Sequence, residues 1–278
     1  MAKSSTSSSL EKIKMKHTIT IIGYGRVGKL LYNSLKRAGY KYITIIKKDE
    51  EISWLNDCII LCVPDNKIKC VLGVIQQSGI DITGKTFVHT SGAVGLDVFS
   101  RLENDKIYAG CMHPMMAVTD SSKDFKNITF DICGSNSFEE KIKPVIHHLK
   151  AKCIVVDELQ KLNLHIAAVL TSNYMVTLMG TALQLFKNSD LDHTKIRSAL
   201  LPLMNSVLSN LEKEEPSKAL TGPIFRVDIS TLQKHLEVIN DLPNLKNVYT
   251  TLAKETINLL VHDLSNKDAH TLRSIFDE

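Results

Sequence analysis

The run Gly23-Tyr-Gly-Arg-Val-Gly28 constrains this chain more than any other feature. It follows a short β-branched run, His17 to Ile22. It opens a stretch, Lys29 to Ala38, whose apolar residues Val27, Leu30, Leu31 and Leu35 have helical spacing. Gly39 then ends that helix. Each glycine answers a different demand: a tight turn at Gly23, close approach of backbone to a pyrophosphate at Gly25, and close helix–sheet packing at Gly28. Strand, glycine turn and helix in that order point to a dinucleotide site, with Tyr24, Arg26 and Val27 in the same turn. Lys29 follows Gly28 where a Walker loop would have Lys-Ser. FAD and S-adenosylmethionine sites use related turns.

Further β-rich runs follow at Tyr42 to Ile46, Asp57 to Val63, Thr86 to His89, Lys106 to Gly110, Asn127 to Ile132 and Lys152 to Val156. Strands alternating with helices imply an α/β fold with a doubly wound, Rossmann-type parallel sheet. After about Asp157 helical spacing dominates, near 158–188, 192–211, 228–240 and 244–263, with breaks at Asp190, Glu214-Glu-Pro216 and Asp241-Leu-Pro243. The expected organisation is a loose Ser- and Lys-rich tail over 1–16, a dinucleotide-binding domain over 17–157, and an all-helical domain over 158–278 for substrate and dimerisation.

At 278 residues there is ample length for a core, and 44% hydrophobic with 23% charged residues excludes a largely disordered chain. A net charge of +4 is too small and too interspersed for a nucleic-acid groove. Six cysteines, none in C-x-x-C spacing, read as reduced and packed, and no metal site is expected. Cys58 and Cys62 share strand parity and should face one side. The tail lacks the apolar region of a secretory signal. The apolar stretch Leu164 to Phe186 is interrupted by His165, Thr171, Asn173 and Gln184, so it reads as a buried helix and not a membrane span. The expected compartment is the cytosol.

Cofactor choice is made where the second strand ends, because an acidic residue there pairs a ribose 2′-hydroxyl while cations accept a 2′-phosphate. That strand ends in Lys47-Lys48, with Arg26 in reach, which favours NADP over NAD; Asp49 and Glu50 weaken the field, and the lysines also fit a solvated loop. Val63-Pro64-Asp65 ends a third strand where a cofactor ribose would rest, although Pro64 also suits a helix start. His89-Thr-Ser91-Gly92 would face the nicotinamide side, with Ser91 able to bond a substrate; a simple turn explains Ser-Gly nearly as well.

Taken together, Gly23 to Gly28, Val63-Pro-Asp65, His89-Thr-Ser-Gly92, Gly110-Cys-Met-His113-Pro114-Met, His165 to Asn173, and Ala219-Leu-Thr-Gly-Pro-Ile-Phe-Arg226-Val-Asp228 make the chain resemble a known family. It is similar to Rossmann-like NADP-dependent oxidoreductases with a C-terminal helical domain of unknown function, distant relatives of pyrroline-carboxylate reductase, ketopantoate reductase and prephenate dehydrogenase. The resemblance runs from about His17 to Leu260. It implies a nucleotide-binding reductase, commonly a homodimer through its helical half. The family pattern has glycine between the final Arg and Asp, where this chain has Val227.

The residues agree in kind. His113 follows a strand and emerges at the ligand edge, where an imidazole donates a proton or grips a carboxylate, or merely caps the loop. His165 and Asn173, eight residues apart on one helix, form a polar stripe: Asn173 to orient substrate and His165 as a candidate proton donor, or a bonded pair in a dimer core. Thr221-Gly222-Pro223 can expose backbone N–H groups, and Arg226 offers a fork for an anionic substrate. Asp228 and His235 fall on the face that follows, Asp228 fitting an N-cap equally. The expected function is hydride transfer between NADPH and a C=O or C=N group of a small anionic substrate, without nucleic acid or membrane. The alternative is a non-catalytic NADPH-binding sensor or interaction protein.

Overall fold

The structure, a computed structural model, describes residues 18–277, apart from the side chains of residues 103–105. The tail read over 1–16, together with His17, lies outside the described residues. Two compact units divide the chain after Asn173.

The first unit is built on β1 (Ile19–Ile22), β2 (Ile43–Ile46), β3 (Cys58–Leu61), β4 (Thr86–His89), β5 (Tyr108–Pro114), β6 (Thr129–Gly134) and β7 (Lys152–Val155). They form one seven-stranded sheet in the order β2-β1-β3-β4-β5-β6-β7. β1, β3 and β4 are buried along their whole length, and β3, Cys58–Leu61, is accordingly apolar throughout. Strand alternation sends their side chains into two cores. Ile19, Ile21, Cys58 and Ile60 join α1 (Arg26–Arg37) and α3 (Asn136–His148) on one side, with Cys62 packed against that core as its parity with Cys58 predicts. Ile22, Ile59, Leu61 and Phe87 join α2 (Asp65–Gln77) and a 3-10 segment, Leu96–Asp105, on the other. The sheet is therefore doubly wound.

It is not wholly parallel. β6 runs antiparallel to β5, with His113 opposite Asp131 and Cys111 opposite Cys133, while the other strand pairs are parallel. A parallel neighbour needs a crossover, usually a helix, and the chain between β5 and β6 contains only turns, so it doubles back.

Asp157 starts α4 (Glu158–Ala168) with a capping box: its carboxylate accepts from the Gln160 amide at 2.7 Å and Gln160 Oε1 accepts from its own. The change from strands to helices thus falls where the sequence places it, while the compact unit runs on through α4 and a π-helical turn, Val169–Asn173.

The second unit comprises α5 (Tyr174–Gln184), α6 (His193–Leu211), α7 (Pro216–Ala219), α8 (Ile229–Val238), α9 (Pro243–Leu259) and α10 (Asn266–Phe276). Leu232, Ala253, Ile257, Leu272 and Phe276 make its core, from α8, α9 and α10. The stretch expected as a buried helix is not buried by this chain: from Leu162 to Thr231 no residue is buried, and Val176 and Leu203 are 74% and 62% exposed. The helix Glu158–Gln184 is long and apolar enough to cross a membrane by length and composition. The helical periodicity holds, and the apolar face it sets out is left open to solvent in the described chain.

Candidate active site

At the carboxyl ends of β1 and β3, where the strand order reverses, the glycine turn has the geometry its sequence demands. Gly23 has φ +99°, and a Cβ there would overlap the Cys62 carbonyl oxygen. A Cβ at Gly28 would overlap the Gly23 carbonyl, so this glycine lets the helix close on its own turn. Gly25, the residue that caps α1, has open space where a Cβ would lie. The first turn of α1 holds no acidic residue and no side-chain cap, leaving its amides and positive dipole end available to an anion. Val27 is half-buried beside exposed Arg26. Lys29 and Lys47 place their ammonium groups 5.9 and 6.0 Å from the Tyr24 ring centroid, drawing cations toward the turn. Lys48 is exposed beside Lys47, whose amide donates to Glu50 Oε2 at 2.7 Å. Val63 is half-buried after β3, Pro64 caps α2 and Asp65 sits in its first turn, so Pro64 lies one residue before the first helical position.

The imidazoles converge next to this edge. His113 Nδ1 lies 2.8 Å from Asp131 Oδ1, and their side chains are 17% and 1% exposed. The His113 and His165 rings meet edge to face, centroids 5.6 Å apart. Gly92 separates them: a Cβ there would overlap His165 Nδ1 and come within 3.0 Å of His113 Cε1 and Nε2. Lys161, one turn before His165, is buried, and its ammonium donates to the carbonyls of Gly92 at 2.7 Å and Val94 at 2.8 Å. Charge-assisted bonds to both carbonyls offset part of the burial of the cation and pin this loop to α4. His165 Nδ1 and Asp131 Oδ2 are buried without a hydrogen-bond partner. The site therefore combines a carboxylate-bound imidazole, a second imidazole and a fixed cation around one glycine.

Other expected residues are placed differently. His89 is fully buried and stacks on Phe99, so its ring faces the core and not the ligand edge. Burial and the Lys161 cation push its pKa down to about 4. Ser91 Oγ accepts from the amides of Ala93 and Val94 at 3.2 and 3.0 Å, which makes it a turn former. Asn173 ends the π turn and is exposed.

Thr221, Gly222, Pro223, Arg226, Asp228 and His235 belong to the second unit. Gly222 has φ +103° in a series of turns, and Arg226 is exposed. Asp228 is the N-cap of α8, accepting from the Thr231 hydroxyl at 2.7 Å and amide at 3.1 Å, and these bonds hold its carboxyl below the usual range. His235 Nδ1 is 2.8 Å from the Tyr249 hydroxyl. Both polar groups are thus engaged within their own unit.

Sequence reasoning missed Asp131 and Lys161. Each had a signal: a carboxylate inside the apolar run Phe130-Asp-Ile132, and a lysine four residues before His165 on one helix face. The thiols nearby are not nucleophiles, since burial raises Cys62 and Cys111 to about 12. Among the described residues no cluster could hold a metal. An open cleft of about 650 Å³ beside Glu158 and Gln160 is lined by none of Gly92, His113 or His165; the convergent chemistry marks the site better than that volume.

Residues 128–256 match a domain of unknown function (DUF2520), a stretch that begins at β6 rather than at the first helix after the sheet. No curated protein matches the chain. Among solved structures, a Bacteroides fragilis protein described as a candidate NADP oxidoreductase is 23% identical, covering 86% of this chain and 97% of its own at a TM-score of 0.73. A Thermotoga maritima protein is 18% identical, covering 94% and 98% at 0.62. A reductive aminase from Aspergillus terreus, solved with NADPH and ethyl levulinate, is 13% identical, covering 94% and 98% at 0.61. At these identities the likeness is one of fold, and the chain has the Rossmann-type architecture with a helical C-terminal region that its motifs resemble.

Proposed function

We propose that this protein is an NADP-dependent oxidoreductase that moves hydride between NADPH and the carbon of a C=O or C=N group in a small anionic substrate. The observation that carries the reading is the meeting of His113 and His165 across Gly92, at the carboxyl edge of the sheet that also bears the glycine turn. A sensor that merely registers cofactor has no need of two convergent imidazoles.

The residues present fit the cofactor. The open space at Gly25 and the uncapped start of α1 would take the pyrophosphate, and Arg26, Lys47 and Lys48 the 2′-phosphate. The cofactor, when bound, would supply hydride as NADPH or accept it as NADP+. The chain does the rest. His113 exchanges a proton at Nε2 with the substrate's oxygen or nitrogen, and His165 lies beside it. Lys161 holds the Gly92 loop against α4, so both rings keep their separation. Asn173 orients the substrate. Support for C=O or C=N chemistry comes from the fold relatives, whose descriptions include a reductive aminase and an imine reductase.

In the same reading the chain works as a cytosolic homodimer, without nucleic acid or membrane. The uncovered apolar surface of α4 to α6 supports this, since a second copy would cover the helix whose length alone suits a membrane.

The test is a fluorescence titration with NADPH and separately NADH at fixed salt. Changing Lys47 and Lys48 together to Glu should weaken NADPH at least tenfold, a charge-assisted contact being worth roughly 1.5–3 kcal/mol, and leave NADH nearly unchanged. Binding of neither cofactor by the unaltered protein would remove the reading.

A further inference from the structure

Asp131 is a buried carboxylate that satisfies only half of its acceptors. Oδ1 bonds His113 Nδ1 and Oδ2 has no hydrogen-bond partner. Its chain neighbours Phe130 and Ile132 are apolar core residues, and an aliphatic side chain at 131 would bury more cheaply than a charge. The register explains what the charge does there. Because β6 returns antiparallel, Asp131 lies directly opposite His113, and the next pair on that face is Cys111 with Cys133, two buried thiols. The carboxylate thus has one partner for its charge among the strand pairs on its face, the His113 ring.

We infer that Asp131 is a positioning residue that holds His113 with its proton on Nδ1, leaving Nε2 as the atom that exchanges a proton with the substrate. The inference rests on the reading of His113 as the proton-exchanging group. An ionised carboxylate can only accept, so its imidazole partner must donate from Nδ1. Nε2 is the nitrogen that approaches the Gly92 position. In the reducing direction the doubly protonated ring gives its Nε2 proton to the substrate oxygen or nitrogen as that atom takes the electron pair of the broken π bond. The neutral ring keeps its proton on Nδ1, donated to Asp131 Oδ1, and regains the other from solvent, to which 17% of the His113 side chain is open. Asp131 never takes the proton itself; it keeps one tautomer and one ring orientation in place.

The experiment uses the full chain labelled with 15N-histidine, without cofactor, at a pH where the ring is neutral. Two-bond proton–nitrogen correlations separate protonated from lone-pair nitrogens, and a His113→Asn sample identifies the His113 signals among the ten histidines. The expected result is a protonated Nδ1 and a lone-pair Nε2 in the unaltered protein, with the proton moving to Nε2 in Asp131→Leu. A proton on Nε2 in the unaltered protein, or a tautomer that Asp131→Leu leaves unchanged, overturns the inference. If that variant does not fold, the unaltered protein still decides. A parallel NADPH titration separates the two ideas: an Nδ1 proton with no NADPH binding keeps the positioning role and sinks the oxidoreductase reading. With a substrate in hand, Asp131→Asn should lower kcat by about 10²–10⁴ and change KM little.

Discussion

His89 closes β4 with no exposure to solvent, its ring stacked on Phe99 at 5.6 Å and 18°. Neither nitrogen has a partner of hydrogen-bond geometry; the Gly95 backbone lies near enough to favour the charged ring only weakly against burial and the Lys161 cation. The folded-state pKa is therefore pushed down to about 4, against about 6.5 for the same ring in the unfolded chain. Between those values the unfolded state binds more protons, so stability falls as pH falls through the window and is unaffected by this group above it. At 1.36 kcal/mol per pH unit the loss is about 2 kcal/mol by pH 5 and about 3 kcal/mol by pH 4, a sizeable part of the 5–15 kcal/mol that holds a typical domain. His89→Phe keeps the stacked ring and cannot titrate. Urea melts at pH 7, 6 and 5 should be followed by the fluorescence of Trp54, the sole tryptophan, just before β3, which reports the first unit. The stability of the unaltered protein should drop relative to His89→Phe by about 2 kcal/mol from pH 7 to pH 5. Carboxylates such as exposed Asp81 and half-buried Asp228 titrate in both proteins and cancel. Parallel curves would refute the argument, because they would mean that the ring is hydrated or paired in the fold.

Three further outcomes follow from local geometry. Gly92→Ala puts a methyl group where His165 Nδ1 lies, so calorimetry should show about 1–3 kcal/mol lost, with the His113 and His165 signals displaced; an unchanged Tm and spectrum would mean that the rings do not meet there. Val227 has φ +54°, left-handed for a β-branched residue, so Val227→Gly should be at least as stable as Val227→Ala in urea, reversing the usual alanine advantage of about 0.5–1 kcal/mol. Val176→Glu and Leu203→Glu should shift the sedimentation of a dimer toward monomer, and an unaltered protein that sediments as a monomer would contradict the homodimer.

The glycine turn was legible because Gly23 and Gly28 meet local steric demands that any chain in that conformation would impose. The central strands were legible because burial on both faces selects short runs rich in apolar and β-branched residues, unbroken in β3. The direction of β6 was not, since it depends on whether residues between β5 and β6 form a helix, and turns there leave little periodic trace. Asp131 and Lys161 escaped for a related reason: one charge in an apolar run is uninformative until register or helix packing supplies its partner. His89 lies at a strand end, yet its parity with Phe87 sends it to the face that packs on Phe99 and away from the ligand edge.

The long apolar helix teaches a different lesson about burial. Hydrophobic periodicity states that a surface must be removed from water and is silent on which chain supplies the cover. Ile166, Leu170 and Val176 fall in the stretch expected to be buried and stand 52%, 56% and 74% exposed within one chain, while Lys161 on the same helix bonds the Gly92 loop and His165 lies against it. One helix therefore carries two obligations, a polar one met inside its own unit and an apolar one left open. Joining them has a mechanistic consequence: whatever covers the apolar face also presses on the helix that sets the His165 ring and the Gly92 loop. A dimer contact on α4 would thus hold the His113–His165 pair as well as bury surface, and Leu203→Glu, on exposed α6, should lower activity in step with loss of the dimer.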